Sequence, residues 1–128
     1  MVKKDLYYTK EHEWAKIDGK VATVGITDHA QESLGELTFV ESPQLNKIVK
    51  VHDELAVVES SKAASDVYAP VSGKVIEVNN ILETKPELIN DDCYGDGWIC
   101  KIEMSSPADT KQLMSAQQYG EYISALEQ

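Results

Sequence analysis

The run Glu59-Ser60-Ser61-Lys62-Ala63-Ala64-Ser65-Asp66 lies between two apolar stretches, Leu55-Ala56-Val57-Val58 before it and Val67-Tyr68-Ala69-Pro70-Val71 after it. Small residues surround a single Lys, so its side chain is unobstructed. A tight turn here would hold the Lys62 amine out from a rigid sheet, which is what an acylating enzyme requires of its target. An ordinary Lys on a solvated turn fits the same residues. The rest of the chain decides between the two.

Outward from this segment, β signals dominate. Strands are predicted at Val21–Ile26, Leu37–Val40, Lys47–Val51, Leu55–Val58, Lys74–Val78 and Trp98–Ile102, short and rich in β-branched residues. Asp18-Gly19 and Ser72-Gly73 read as hairpin turns. Lys47-Ile48-Val49-Lys50-Val51 is echoed 27 residues later by Lys74-Val75-Ile76-Glu77-Val78, and the midpoint falls between Lys62 and Ala63. Two similar strand units flanking a central hairpin would place Lys62 at the symmetric tip.

Helical signals are fewer. Thr27 or Asp28 can cap a short helix through Leu34, with Gly35 as its stop. Ser106-Pro107 predicts a second start, and Ser115-Ala116-Gln117-Gln118 reads as a capping box. After it, Tyr119, Tyr122, Ile123 and Leu126 share one face of a C-terminal helix expected to pack on the sheet.

The length, 128 residues, suits one domain with its own core. The charge is −10, from 22 acidic residues and 12 basic ones, all of them Lys. That balance argues against nucleic acid and against an anionic membrane surface as partners. No apolar run approaches the roughly 18 residues of a membrane span. The N-terminal residues show no apolar core of a signal peptide and no Arg-rich transit peptide. The expected location is the bacterial cytoplasm, with the mitochondrial matrix as the alternative. Cys93 and Cys100, with six residues between them, match no metal or redox spacing, and Cys100 is expected to be a small buried residue.

Other candidate sites are weaker. His12-Glu13-Trp14-Ala15-Lys16 begins like a zinc-binding helix but has Lys where the second His belongs. His12, His29 and His52 are scattered along the chain. Asp92 to Glu103 has some calcium-loop spacing, but Tyr94 is a poor ligand and the back half reads as strand. No phosphate loop or nucleophile elbow is present, so a carrier or binding module is expected rather than an enzyme.

From Glu59-Ser60-Ser61-Lys62-Ala63 outward, the chain resembles the H-protein family of the glycine cleavage system. The similarity includes His12-Glu13-Trp14, Val24-Gly25-Ile26-Thr27-Asp28-His29-Ala30-Gln31, Leu34-Gly35 and Phe39-Val40-Glu41. It continues through Val67-Tyr68-Ala69-Pro70-Val71-Ser72-Gly73, Val78-Asn79, Pro86-Glu87-Leu88-Ile89-Asn90 and Gly97-Trp98-Ile99. These matches run in order over nearly the whole chain.

The resemblance implies a mainly β fold, a lipoyl/biotinyl-type barrel-sandwich hybrid with short helices, spanning residues 1–128 as one lipoyl-carrier domain. It implies lipoic acid in amide linkage on Lys62, added by a lipoyl ligase or transferase. The arm would take an aminomethyl group from glycine decarboxylase, a pyridoxal-phosphate enzyme, to the aminomethyltransferase. It would then pass electrons to dihydrolipoyl dehydrogenase. The implied carrier has no catalysis of its own and is expected to act as a monomer. Glu13 and Asp66 match family positions near a cleft where carboxylates would hold the amine of the loaded arm. An acidic surface would steer transient docking of several enzymes.

The chain departs from the family before the carrier hairpin, where Asn46 and His52 stand at positions usually held by Gly. Asn tolerates a positive φ and His less so. The change bears on partner choice more than on lipoylation. Three other readings remain: an H-like lipoyl carrier outside glycine cleavage, a biotin carrier, and an unmodified interaction domain. A biotinyl Lys normally lies between two Met residues, whereas Lys62 lies between Ser61 and Ala63.

Overall fold

Alternation of apolar and polar residues builds two antiparallel sheets in the computed structural model, which describes residues 3–126. The strands are β1 (Tyr7–Tyr8), β2 (Glu13–Asp18), β3 (Val21–Ile26), β4 (Leu37–Glu41), β5 (Ile48–Val49), β6 (Glu54–Ser60), β7 (Ala64–Tyr68), β8 (Gly73–Val78) and β9 (Cys100–Met104). One sheet has the order β1-β2-β3-β9-β8-β5 and the other β4-β6-β7. Three helices join them: α1 (Asp28–Leu34), α2 (Leu88–Asp91) and α3 (Ala116–Leu126), with 3-10 turns at Asn80–Glu83 and Pro107–Gln112. This is the expected mainly β barrel-sandwich, C-terminal helix included.

The main core is aliphatic and lies between the sheets, with Val24, Val58, Val67, Val75 and Ile102 at 1% exposure or less. Each such side chain stabilises the fold by roughly 1.5–3 kcal/mol relative to solvent exposure. In β8 the alternation is visible directly: Val75 points in, while Lys74 and Ile76 point out. A second, aromatic cluster joins Leu6, Tyr8, Trp14 and Tyr119. Tyr8 and Tyr119 stack with ring centroids 4.6 Å apart, which docks α3 on β1. The capping box forms: Ser115 Oγ accepts from Gln118 N–H at 3.2 Å, and Gln118 Oε1 accepts from Ser115 N–H at 2.8 Å.

The Lys47–Val51 and Lys74–Val78 echo becomes a direct pairing, Ile48 opposite Lys74. Only Ile48–Val49 is strand, because Asn46 (φ 72°) and His52 (φ 74°) turn the chain on either side. The positions where the family usually has Gly thus keep the left-handed backbone that Gly would supply.

Several expectations differ in detail. Ser72-Gly73 is not a hairpin turn; the chain crosses there from β7 in one sheet to β8 in the other. Gly73 is needed for close approach, since a Cβ on it would fall 2.0 Å from the Glu103 carbonyl oxygen. The predicted strand Trp98–Ile102 shifts to Cys100–Met104. Asn79 Nδ2 donates to the carbonyls of Asp96 (2.9 Å) and Trp98 (2.7 Å) and holds that stretch as a loop. The helix start at Ser106 is a 3-10 turn without a side-chain cap. β2 was not among the strands expected; its side chains Glu13, Trp14 and Ala15 are all buried, so the alternation is lost at its start.

Candidate functional site

Strands β6 and β7 pair down to Glu59 opposite Ala64 and leave a short tip. Ser60 closes it: its N–H donates to the Ala63 carbonyl at 2.8 Å. Its Oγ lies 3.4 Å from Lys62 N–H and 3.3 Å from Ala63 N–H. Neither Ser61 nor Lys62 has a positive φ, so the tip carries no left-handed strain. Residues 61–66 are all exposed. Among the described residues no hydrogen bond or ion pair holds the Lys62 amine. Lys62, singled out in the sequence by its small neighbours, is thus an exposed side chain at the tip of the β6–β7 hairpin.

Glu13 is placed differently from an open-cleft carboxylate. It is 1% exposed. Thr9 Oγ1 donates to its Oε1 at 2.5 Å, and the Tyr68 N–H donates to its Oε2 at 3.1 Å. Burial pushes its carboxyl up to about 7, although both hydrogen bonds pull the other way. Glu13 thus ties the start of β2 to the end of the Lys62 hairpin.

Asp66 is exposed on β7, two residues before Tyr68, and so on the same face of the strand. The Tyr68 phenol is held above its ordinary value, by Asp66 first and then, after slight burial, by Glu54, Glu13 and Glu11. These carboxylates converge on one region. A protonated amine brought there would be favoured by the same field that disfavours a phenolate. Neither Tyr68 nor Thr9 was singled out in the sequence as part of a site; no spacing signal marks a backbone N–H or a lone hydroxyl.

Beside Glu13, the structure brings together two of the three scattered histidines. His12 and His29 stack with centroids 4.5 Å apart. Tyr119 Oη lies 2.8 Å from both His12 Nδ1 and Thr27 Oγ1. Thr27 Oγ1 accepts from Ala30 N–H at 3.3 Å and caps α1, as its place in the sequence suggested. His52 stands apart, 3.9 Å from Glu11. Cys93 and Cys100 are buried free thiols, raised by burial to about 11 and about 12, which leaves them unreactive. Asp92 is spent on its own turn, accepting from Asp96 N–H through Oδ2 at 3.0 Å.

A Lys at the tip of a two-sheet β fold is shared by several carriers, so comparison with known proteins is informative. The family model described as glycine cleavage H-protein matches residues 6–126. The chain belongs to the glycine cleavage H-protein family. Among its relatives, the glycine cleavage system H protein of Coprothermobacter proteolyticus is 54% identical over 120 residues, covering 92% of this chain and 94% of that protein. The H protein of Parvibaculum lavamentivorans is 47% identical over 123 residues, covering 96% and 98%. The crystal structure of the Mycobacterium marinum H protein superposes with a TM-score of 0.89 at 34% identity, covering 96% of this chain and 99% of that one. The family is of the lipoyl-carrier type, and the role of this chain is that of the lipoyl carrier component of glycine cleavage.

Proposed function

We propose that Lys62 is the lipoyl attachment residue, with lipoic acid in amide linkage to its Nζ. The observation that carries this is the exposed Lys62 at the tip of β6 and β7, its amine unpaired among the described residues, with only small residues beside it in the sequence. Bound there, the group supplies a disulfide that accepts the aminomethyl unit and electrons. The chain itself attaches, presents and shields. The β6–β7 hairpin fixes the point of attachment. The carboxylates around Tyr68, with Asp66 foremost, favour a positively charged amine on the arm. Glu13 holds the base of the hairpin through the Tyr68 N–H.

The partners in this reading are glycine decarboxylase, the aminomethyltransferase, dihydrolipoyl dehydrogenase and a lipoyl ligase or transferase, met by a monomer in the cytoplasm. A charge of −10 favours fast, weak docking of each in turn. The test is glycine–bicarbonate exchange with a glycine decarboxylase. Lys62→Arg should abolish exchange while leaving the fold intact. Exchange that survives in Lys62→Arg would reject the assignment. A lipoylated wild type that supports no exchange would favour a lipoyl carrier outside glycine cleavage.

A further inference from the structure

Helix α1 ends at Gly35, where φ is 80° and ψ −165°, a backbone region that is essentially glycine's alone. The stem of Lys62 reaches this corner: a Cβ built on Gly35 would fall 3.5 Å from Lys62 Cε. The stem of the carrier lysine therefore passes close to the end of α1, at a position that carries no side chain.

One side chain secures that corner. Asn90, half-buried in α2, accepts from the Leu37 N–H through Oδ1 at 2.9 Å. Its Nδ2 donates to the Gly35 carbonyl and to Gln31 Oε1, each at 2.9 Å. Both amide hydrogens and the carbonyl are used, on partners 53 to 59 residues away in sequence. An aspartate would keep the bond to Leu37 and lose both donations; an alanine would lose all three. The three bonds fix the last turn of α1, its Gly35 stop and the first residue of β4 relative to one another.

We infer that Asn90 is a positioning residue for the carrier arm: by clamping the Gly35 corner it sets the surface on which the Lys62 stem rests, and with it the direction in which the arm leaves the hairpin. This rests on Lys62 as the attachment residue. The turn at Ser60–Ala63 places the lysine backbone, but leaves its four side-chain torsions to be set by what the stem touches. A group that must reach successive active sites gains from a fixed starting direction.

The test compares lipoylated wild type with lipoylated Asn90→Ala and Asn90→Asp by NMR, with Ile102→Val as a control that loosens the core elsewhere. In wild type an NOE connects the Lys62 ε-methylene to the Gly35 α protons. Both Asn90 variants lose it, and Ile102→Val keeps it. Should Asn90→Ala not fold, Asn90→Asp carries the comparison. An NOE absent from wild type, retained in the Asn90 variants, or lost equally in Ile102→Val overturns the inference. Peptide mass at Lys62 is read on the same samples. A missing lipoyl group in wild type would reject the attachment residue instead, and the NOE comparison would still report on the stem.

Discussion

The Tyr68 N–H donates to Glu13 Oε2 at 3.1 Å, joining the first residue of β2 to the last residue of the carrier hairpin through a buried carboxyl. That carboxyl is pushed up to about 7 from the usual 4.5 by burial. As pH rises past 4.5, the unfolded chain releases this proton while the folded chain keeps it. The contribution of the neutral carboxyl is thus complete below 4.5 and is lost as pH climbs through about 7. The loss is about 3 kcal/mol in all. Glu13→Gln keeps the shape without the charge. Melting temperature measured against pH should show wild type falling relative to Glu13→Gln between pH 5 and pH 7.5, as roughly expected from that shift. Parallel profiles would show that Glu13 is not neutral in the fold.

Trp14 lies directly across from Gly25 in the β2–β3 ladder. A Cβ on Gly25 would sit 2.6 Å from the indole carbons Cε2 and Cζ2. The ring has little freedom to retreat, since its Nε1 donates to the Cys93 carbonyl at 2.9 Å. Gly25→Ala should destabilise by about 2 kcal/mol or more, roughly 8 °C in melting temperature. Tryptophan emission should shift as the indole is displaced. An unchanged melting temperature would mean that the pocket holds more slack than this contact allows.

How much of this was legible in the sequence depends on the kind of signal. Lys62 stood out because small residues around one Lys, between apolar runs, make a local pattern. The bounds of α1 were also local: Thr27 caps and Gly35 stops. β2 was missed because Glu13 puts a polar residue on the inward face it shares with Ala15 and Ile17, satisfied there by partners that only tertiary structure supplies. The Asn90 clamp reaches across more than 50 residues and leaves no periodic trace. Ser72-Gly73 looked like a turn because glycine favours turns, whereas Gly73 is there to let the Glu103 backbone approach.

His52 bears a left-handed backbone with φ 74°. That conformation is strained for a residue with a Cβ, and the exposed pair with Glu11 at 3.9 Å returns little. His52→Gly should therefore stabilise by about 0.5 kcal/mol, near 2 °C, net of glycine's greater freedom when unfolded. Asn46→Gly should gain less, because Asn tolerates the same region. A loss of stability in His52→Gly, measured by thermal melting, would show that the side chain earns its place through contacts.

Asp66 is the largest source of the field that raises the Tyr68 phenol. A loaded aminomethyl arm held in that field should decay faster once the charge is removed. Asp66→Asn should shorten the lifetime of the load by about fivefold, the effect of roughly 1 kcal/mol from one solvent-exposed charge. Glu13→Gln should shorten it less, since that carboxyl is buried behind Thr9 and the Tyr68 backbone. Equal lifetimes in wild type and both variants would remove the two carboxylates from any shielding role.

The most direct test of the account is the intact mass of the protein before and after incubation with lipoate, ATP and a lipoate ligase, followed by peptide mapping. A single lipoyl increment, confined to the peptide carrying Lys62 and absent from Lys62→Arg, is the predicted result. No increment, or one spread over many of the 12 lysines, would contradict it and leave the hairpin as an interaction surface rather than a carrier site.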